Sequence, residues 1–157
     1  MKPIRKSAGI LLFKFGNHNA IEVFIVHPGG PFWKNKDMGA WSIPKGEFTD
    51  EEEGLDAAIR EFKEETGSKI SGDFIELTPV KLKSGKMVYA WAVKGDIDAA
   101  AVKCETYIDV EWPPRTGKSI SIPEVDKGEW FAADEAKQKI NPSQAALIDE
   151  LISKLID

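Results

Sequence analysis

Residues 51–66 constrain this chain more than any other stretch, because one helix there must satisfy two opposite environments. At about 100° per residue, Leu55, Ile59 and Phe62 fall on one face with Ala58 beside them, a stripe suited to packing on a sheet. Glu61, Glu64 and Glu65 gather on another face, at the i, i+3 and i+4 spacing where like charges repel. Lys63 lies within the run but points away from the cluster, so it does not dilute that repulsion. Thr49 and Glu52 have the spacing of a capping box at the helix start, which by itself accounts for Glu52. Gly67 suits the left-handed position after the last turn. A merely solvated helix has no reason to crowd three acids. Hard divalent cations such as Mg²⁺ and Mn²⁺ supply one, since they prefer clustered carboxylate oxygens.

The segments around this helix read as a mixed architecture. "SAGILLFKF" (7–15) and "AIEVFIVH" (20–27) are rich in β-branched and aromatic residues and flank the turn "GNHN", which predicts a hairpin. Residues 28–40 form a loop dense in Gly and Pro, with Phe32 and Trp33 at its centre as either a plug over the core or a stacking platform. Strands are expected at 73–80 and 86–93 around "KSGK", and another at 103–111. Residues 113–128 read as a long irregular connection, and "EWFAADEAKQKI" as a strand end followed by a short helix. Apolar residues at 147, 148, 151, 152 and 155 predict an amphipathic final helix. With no internal repeat and no linker, residues 1–157 are expected to form one α/β domain, a layered sandwich of sheet and helices.

Bulk composition narrows the function classes. A net charge of −5 argues against a nucleic-acid binder, which would carry a basic face. It also requires local lysines or a metal ion to reverse the sign wherever a polyanion binds. Cys104 is the single cysteine, so no intrachain disulfide forms, and a reducing, cytoplasmic setting is expected. With His18 and His27 as the other soft ligands, a Cys/His zinc site is not expected. The basic N-terminus followed by apolar residues raises a signal peptide, but Lys14 breaks the run and no small-residue cleavage site follows. No stretch approaches transmembrane length, so no membrane partner is expected. Monomer and homodimer both remain open.

The wider pattern around the helix resembles the signature of the Nudix hydrolases. Gly46, Glu52, Arg60, Glu61, Phe62, Glu64, Glu65 and Gly67 match it in identity and spacing, and Ser68 alone departs, where the family prefers an apolar residue. The resemblance implies a Nudix α/β/α sandwich with a mixed central sheet. It also implies a loop–helix–loop that presents Mg²⁺ or Mn²⁺ to a diphosphate. By match to the motif, Glu61 and Glu65 would be metal ligands, with Glu64 a third ligand or bound through water. Gly46 would offer its backbone carbonyl, and Arg60 would orient the carboxylates.

Nudix enzymes often recruit a further carboxylate from a loop before a late strand. Glu124 in "PEVDKGEWF", six residues before Trp130, resembles that element and is the first choice for general base or auxiliary ligand. Glu111 is the second choice and Glu129 the third. In "WSIPKG", Pro44 stiffens the loop and Lys45 stands beside the box, where a point charge can meet a phosphate. A similar run occurs in Nudix enzymes acting on dinucleoside polyphosphates, inositol polyphosphates and nucleoside triphosphates. "RTGKS" (115–119) is not a P-loop, because Trp112 stands where the motif requires Gly, although Arg115 and Lys118 remain candidates for a basic flap. Tyr89 is a candidate counterpart of the adenine-stacking tyrosine of dinucleotide enzymes, displaced from the usual spacing. The leading expectation is a metal-dependent pyrophosphohydrolase acting on a nucleoside triphosphate or dinucleoside polyphosphate. Alternatives are a diadenosine tetraphosphate-specific hydrolase and a non-catalytic nucleotide-sensing domain.

Overall fold

A computed structural model describes residues 5–156. The first apolar run forms β1 (Lys6–Phe15), and the second forms β2 (Ile21–Pro28). Both read as nearly continuous apolar runs because both of their faces are covered. Ala8, Ile10 and Leu12 point to one face and Leu11 and Phe13 to the other, all essentially buried. Between them, residues 17–19 form one helical turn in which His18 and Asn19 take positive φ of 59° and 60°. Such angles are tolerated best by Asn, Asp and His among residues with side chains.

β1 is the axis of a mixed sheet. On one edge its second half pairs antiparallel with β2 and its first half with β3 (Lys45–Glu47). Its other edge runs parallel to β6 (Met87–Lys94). β6 also pairs with two short strands, β4 (Ile75–Glu76) and β5 (Val80–Lys81), which replace the continuous strand expected at 73–80. Beyond β2 lies β9 (Val125–Ala132). A separate antiparallel ribbon joins β7 (Tyr107–Glu111) and β8 (Ser119–Pro123). The segment expected to be an irregular connection is therefore mostly strand. Alternating Ser and Ile give β8 a strand's period, and the many turn residues around it obscure that period in the sequence.

Helix α1 (Gly54–Thr66) covers one face of the sheet, burying Ala57, Ala58 and Phe62 against Ile10, Leu12 and Phe24. Leu55 and Ile59 are partly buried at the margin of that cluster. Helices α2 (Ala133–Lys139) and α3 (Ala145–Leu155) cover the opposite face through Ala136, Leu147, Ile148 and Leu151. The result is the expected α/β/α sandwich.

The expected start of α1 needs correction. The helix begins at Gly54 rather than near residue 51, and its N-cap Glu53 makes no side-chain cap. Thr49 still accepts a hydrogen bond from the Glu51 amide, but Glu52 does not reach back to complete a capping box. It turns to Arg60 instead, because a bidentate bond to a guanidinium outweighs one neutral amide contact. The helix ends as expected, with Gly67 at φ 81° donating to the Lys63 carbonyl.

Candidate active site

Three elements meet at one end of the sheet. α1 is held by its apolar stripe so that Glu61 and Glu65 face inward, 8% and 6% exposed, while Glu64 stays half-exposed. β3 passes directly over Glu61. A Cβ on Gly46 would lie 2.0 Å from a Glu61 carboxylate oxygen, so only glycine lets the strand and the acid approach this closely. The Lys45 amide donates to Glu65 Oε1 at 3.2 Å, which ties the strand to the helix one turn further on.

Arg60 bridges the acids. Its Nε and Nη2 grip both oxygens of Glu52 at 2.9 Å. Its Nη1 donates to Glu61 at 2.9 Å and to both oxygens of Glu64 at 3.2 Å. The guanidinium is held even more firmly protonated than usual, chiefly by Glu52. Lys63 pairs with Glu105 on the far side of the helix and takes no part.

The carboxylates remain uncomfortable despite Arg60. Burial pushes Glu61 up to about 6, helped by the charge of Glu64 and opposed by Arg60. Burial pushes Glu65 up to about 8 against the favourable Lys45 amide and ammonium, with Glu124 and Glu61 adding repulsion. Glu124, at the junction of β8 and β9, is thus close enough for its charge to act on both buried acids.

These groups form one wall of a cleft of about 770 Å³. Glu61, Glu64, Glu65 and Glu124 line it together with Lys45 and Gly46. Trp33 and Phe32 from the long loop also line it, with Ile108, Val110 and Trp112 from the β7–β8 ribbon. Trp33 packs partly buried against the core, as a plug would, and the same residue lines the cleft. Its loop is pinned by buried His27, whose Nε2–H donates to the Lys36 carbonyl at 2.7 Å and whose Nδ1 lies 3.0 Å from Asp126.

The remaining expected residues fall elsewhere. Glu111 borders the cleft, but its carboxylate accepts the Arg115 and Gly117 amides at 2.9 and 3.1 Å and so closes its own hairpin turn. Glu129 lies on β9 opposite Ile25, outside the cleft lining. Tyr89 packs edge-on against Phe48 and does not line the cleft. Arg115 sits at the exposed hairpin tip with φ 63°, outside the lining although Trp112 and Pro114 belong to it. Ser7, Lys86 and Gln144 line the cleft without having been singled out in the sequence. Gln144 is 1% exposed and accepts the Ile43 amide at 3.0 Å, which fixes the segment leading to Lys45. Nothing in the local pattern of a serine on a strand, a lysine in a turn or a glutamine before a helix marks such a role.

A family model for the NUDIX domain matches residues 3–151. The chain belongs to the Nudix family of pyrophosphohydrolase domains. Among solved structures it resembles the NUDIX domain of Shewanella oneidensis NrtR complexed with ADP ribose, with a TM-score of 0.68 and 17% identity over 99% of this chain and 90% of that one. It also resembles a binary complex of a C. elegans Ap4A hydrolase, with a TM-score of 0.66 and 18% identity over 95% and 97% of the two chains. A mutT/nudix family protein from Listeria innocua matches with a TM-score of 0.64 and 15% identity over 99% and 96%. At such identities the likeness speaks for the Nudix fold alone. No curated protein sequence matches the chain.

Nudix hydrolases generally use divalent metal ions, and the donor set here suits them: carboxylate oxygens, two of them buried at a cost, beside a backbone drawn close by Gly46. Among the described residues no three acidic, histidine or cysteine side chains stand arranged as a ready coordination shell. The Glu61 and Glu64 oxygens are instead engaged by the Arg60 guanidinium. Among the described residues, no helix is long and apolar enough to cross a membrane.

Proposed function

We propose that this Nudix pyrophosphohydrolase cleaves a phosphoanhydride bond of a nucleoside triphosphate or dinucleoside polyphosphate, with Mg²⁺ or Mn²⁺ held by its acidic box. One observation carries the reading. Glu61 and Glu65 are buried at the wall of an open cleft, where desolvation and the neighbouring carboxylates Glu64 and Glu124 disfavour their charged forms, an arrangement that is unfavourable until a cation binds. In this reading Glu61, Glu65 and the Gly46 carbonyl hold the ion, with Glu64 a further ligand or water-mediated partner. Bound there, a divalent cation supplies electrophilic neutralisation of the anhydride oxygens.

The chain's own residues supply the remainder. Arg60 orients the carboxylates through its fork. Lys45 receives a phosphate oxygen, and burial holds its ammonium below its usual range, so it gains more from an arriving anion than a solvated lysine would. Glu124 accepts the proton of the attacking water, since its charge reaches both buried acids and, among the described residues, its carboxylate caps no turn as that of Glu111 does. Trp33 offers a face for a base. The solved relatives include one complexed with ADP ribose and one named an Ap4A hydrolase, which is consistent with a nucleotide ligand.

The test is a panel of nucleoside triphosphates, diadenosine polyphosphates and nucleotide sugars, incubated with the protein and Mg²⁺ or Mn²⁺ at mildly alkaline pH. Identifying the products shows which bond breaks. Pyrophosphate released from triphosphates selects the first substrate class, and asymmetric cleavage of diadenosine tetraphosphate the second. Absence of cleavage across the panel, or a Glu64→Gln variant as active as wild type, overturns the proposal.

A further inference from the structure

Ser7 is the anomaly of the cleft. It is 1% exposed, lines the cleft, and carries the one buried side-chain polar atom among the described residues that has no hydrogen-bond partner. Such a hydroxyl is costly, because burial strips its water and no described protein group replaces it. An alanine would fit the strand without that penalty.

The sheet register shows what surrounds it. Ala8 faces α1, so Ser7 faces the other side of β1. Its antiparallel neighbour is Glu47 and its parallel neighbour Val88. Side chains two residues away on the same strands share that face, which adds Lys45 from β3 and Lys86, just ahead of β6. Glu47 does not serve the hydroxyl, for its oxygens accept from Arg5 at 2.8 and 3.0 Å, with Lys86 at 3.8 Å. Lys86 is only 17% exposed at its side chain. Two half-buried cations therefore face one another across a floor that contains an unused donor, on the opposite side of Lys45 from the acidic box.

The geometry points to Ser7 and Lys86 as an anion subsite that takes a phosphate beyond the two flanking the scissile bond, making the enzyme selective for chains of three or more phosphates. The hydroxyl would donate to a non-bridging oxygen while Lys86 and Lys45 neutralise it. The inference rests on the hydrolase reading for its meaning but not for its measurement.

The test uses the full chain in saturating Mg²⁺, titrated with inorganic tripolyphosphate and with pyrophosphate by calorimetry. Wild type is expected to bind tripolyphosphate more tightly. Ser7→Ala and Lys86→Gln are each expected to weaken tripolyphosphate binding roughly tenfold, as the loss of one charge-assisted contact does, and to leave pyrophosphate binding unchanged. Ser7→Ala should melt at the wild-type temperature or above it, which a structural role for the hydroxyl would not allow. In turnover, KM for triphosphates should rise with kcat held. Binding of tripolyphosphate that ignores both substitutions, or equal weakening for both probes, overturns the subsite. A wild type that prefers tripolyphosphate but cleaves nothing overturns the hydrolase reading and leaves the subsite standing.

Discussion

At the scale of single residues, the site depends on which atoms are missing as much as on which are present. Gly46 is required because its absent Cβ is the space occupied by the Glu61 carboxyl. Gly46→Ala is expected to displace that head group by about an ångström or more and to lower kcat/KM about 100-fold. The melting temperature should change little, since the carboxyl sits at the free end of a flexible side chain. Steady-state kinetics beside a thermal melt checks both halves. The two candidate bases separate in the same way. Glu124→Gln is expected to reduce kcat by about 100-fold or more, the usual worth of a positioned base. Glu111→Gln should instead loosen the hairpin whose amides it caps and leave kcat near wild type. Parallel kcat measurements with equal losses would refute that assignment.

At the scale of one element, α1 works against its own stability. Its apolar stripe fixes the rotation of the helix, and that rotation forces Glu61 and Glu65 into the largely buried wall of the cleft. Both carboxyls protonate more readily folded than unfolded, from an ordinary 4.5 to about 6 and about 8. A group raised in this way contributes stability below its unfolded value and loses it as pH rises through the folded one. The metal-free protein is therefore expected to lose stability between about pH 4.5 and 8, with Glu65→Gln flattening the decline. Adding Mg²⁺ near pH 8 should restore wild type by about 2.7 kcal/mol at a hundredfold excess over its dissociation constant. Thermal melts with chelator and with Mg²⁺ measure both effects. A metal-free melting temperature that rises across this window would contradict the burial argument.

At the scale of the whole molecule, residues far apart in sequence hold the segment before the box. Gln144, at the entry to α3, accepts the amide of Ile43 from within the core and exchanges bonds with Ser42. Trp41 pairs with Ile140 and donates its Nε1–H to Asp37, which in turn meets Lys139. The layer of helices opposite α1 thus positions Lys45 across the full thickness of the sandwich. Gln144→Ala leaves the Ile43 amide buried and unpaired, which is expected to cost about 1–3 kcal/mol in urea unfolding. A larger proportional loss should appear in kcat/KM, although Gln144 belongs to no motif. Unchanged activity in a destabilised variant would confine the residue to a structural role.

Much of this was legible in the linear chain. The two faces of α1 follow from a fixed rotation per residue, so the stripe of Leu55, Ile59 and Phe62 and the cluster of Glu61, Glu64 and Glu65 needed only counting. The two apolar strands and the final amphipathic helix were legible for the same reason. Local rules failed where partners are distant. Glu52 has the spacing of a cap, yet Arg60 two turns on offers a stronger bond; β8 is a strand because β7 pairs with it; Glu111 and Glu124 are equally acidic on paper, but one closes a turn and the other faces the buried box. The sequence by itself determined the secondary elements with strong period and the acids that belong together. Only the tertiary structure decided how deeply those acids are buried, which further carboxylate joins them, and that Ser7, Lys86 and Gln144 share their cleft. Periodicity is set by bonds along the chain, whereas burial and charge coupling depend on distances through space that no local pattern encodes.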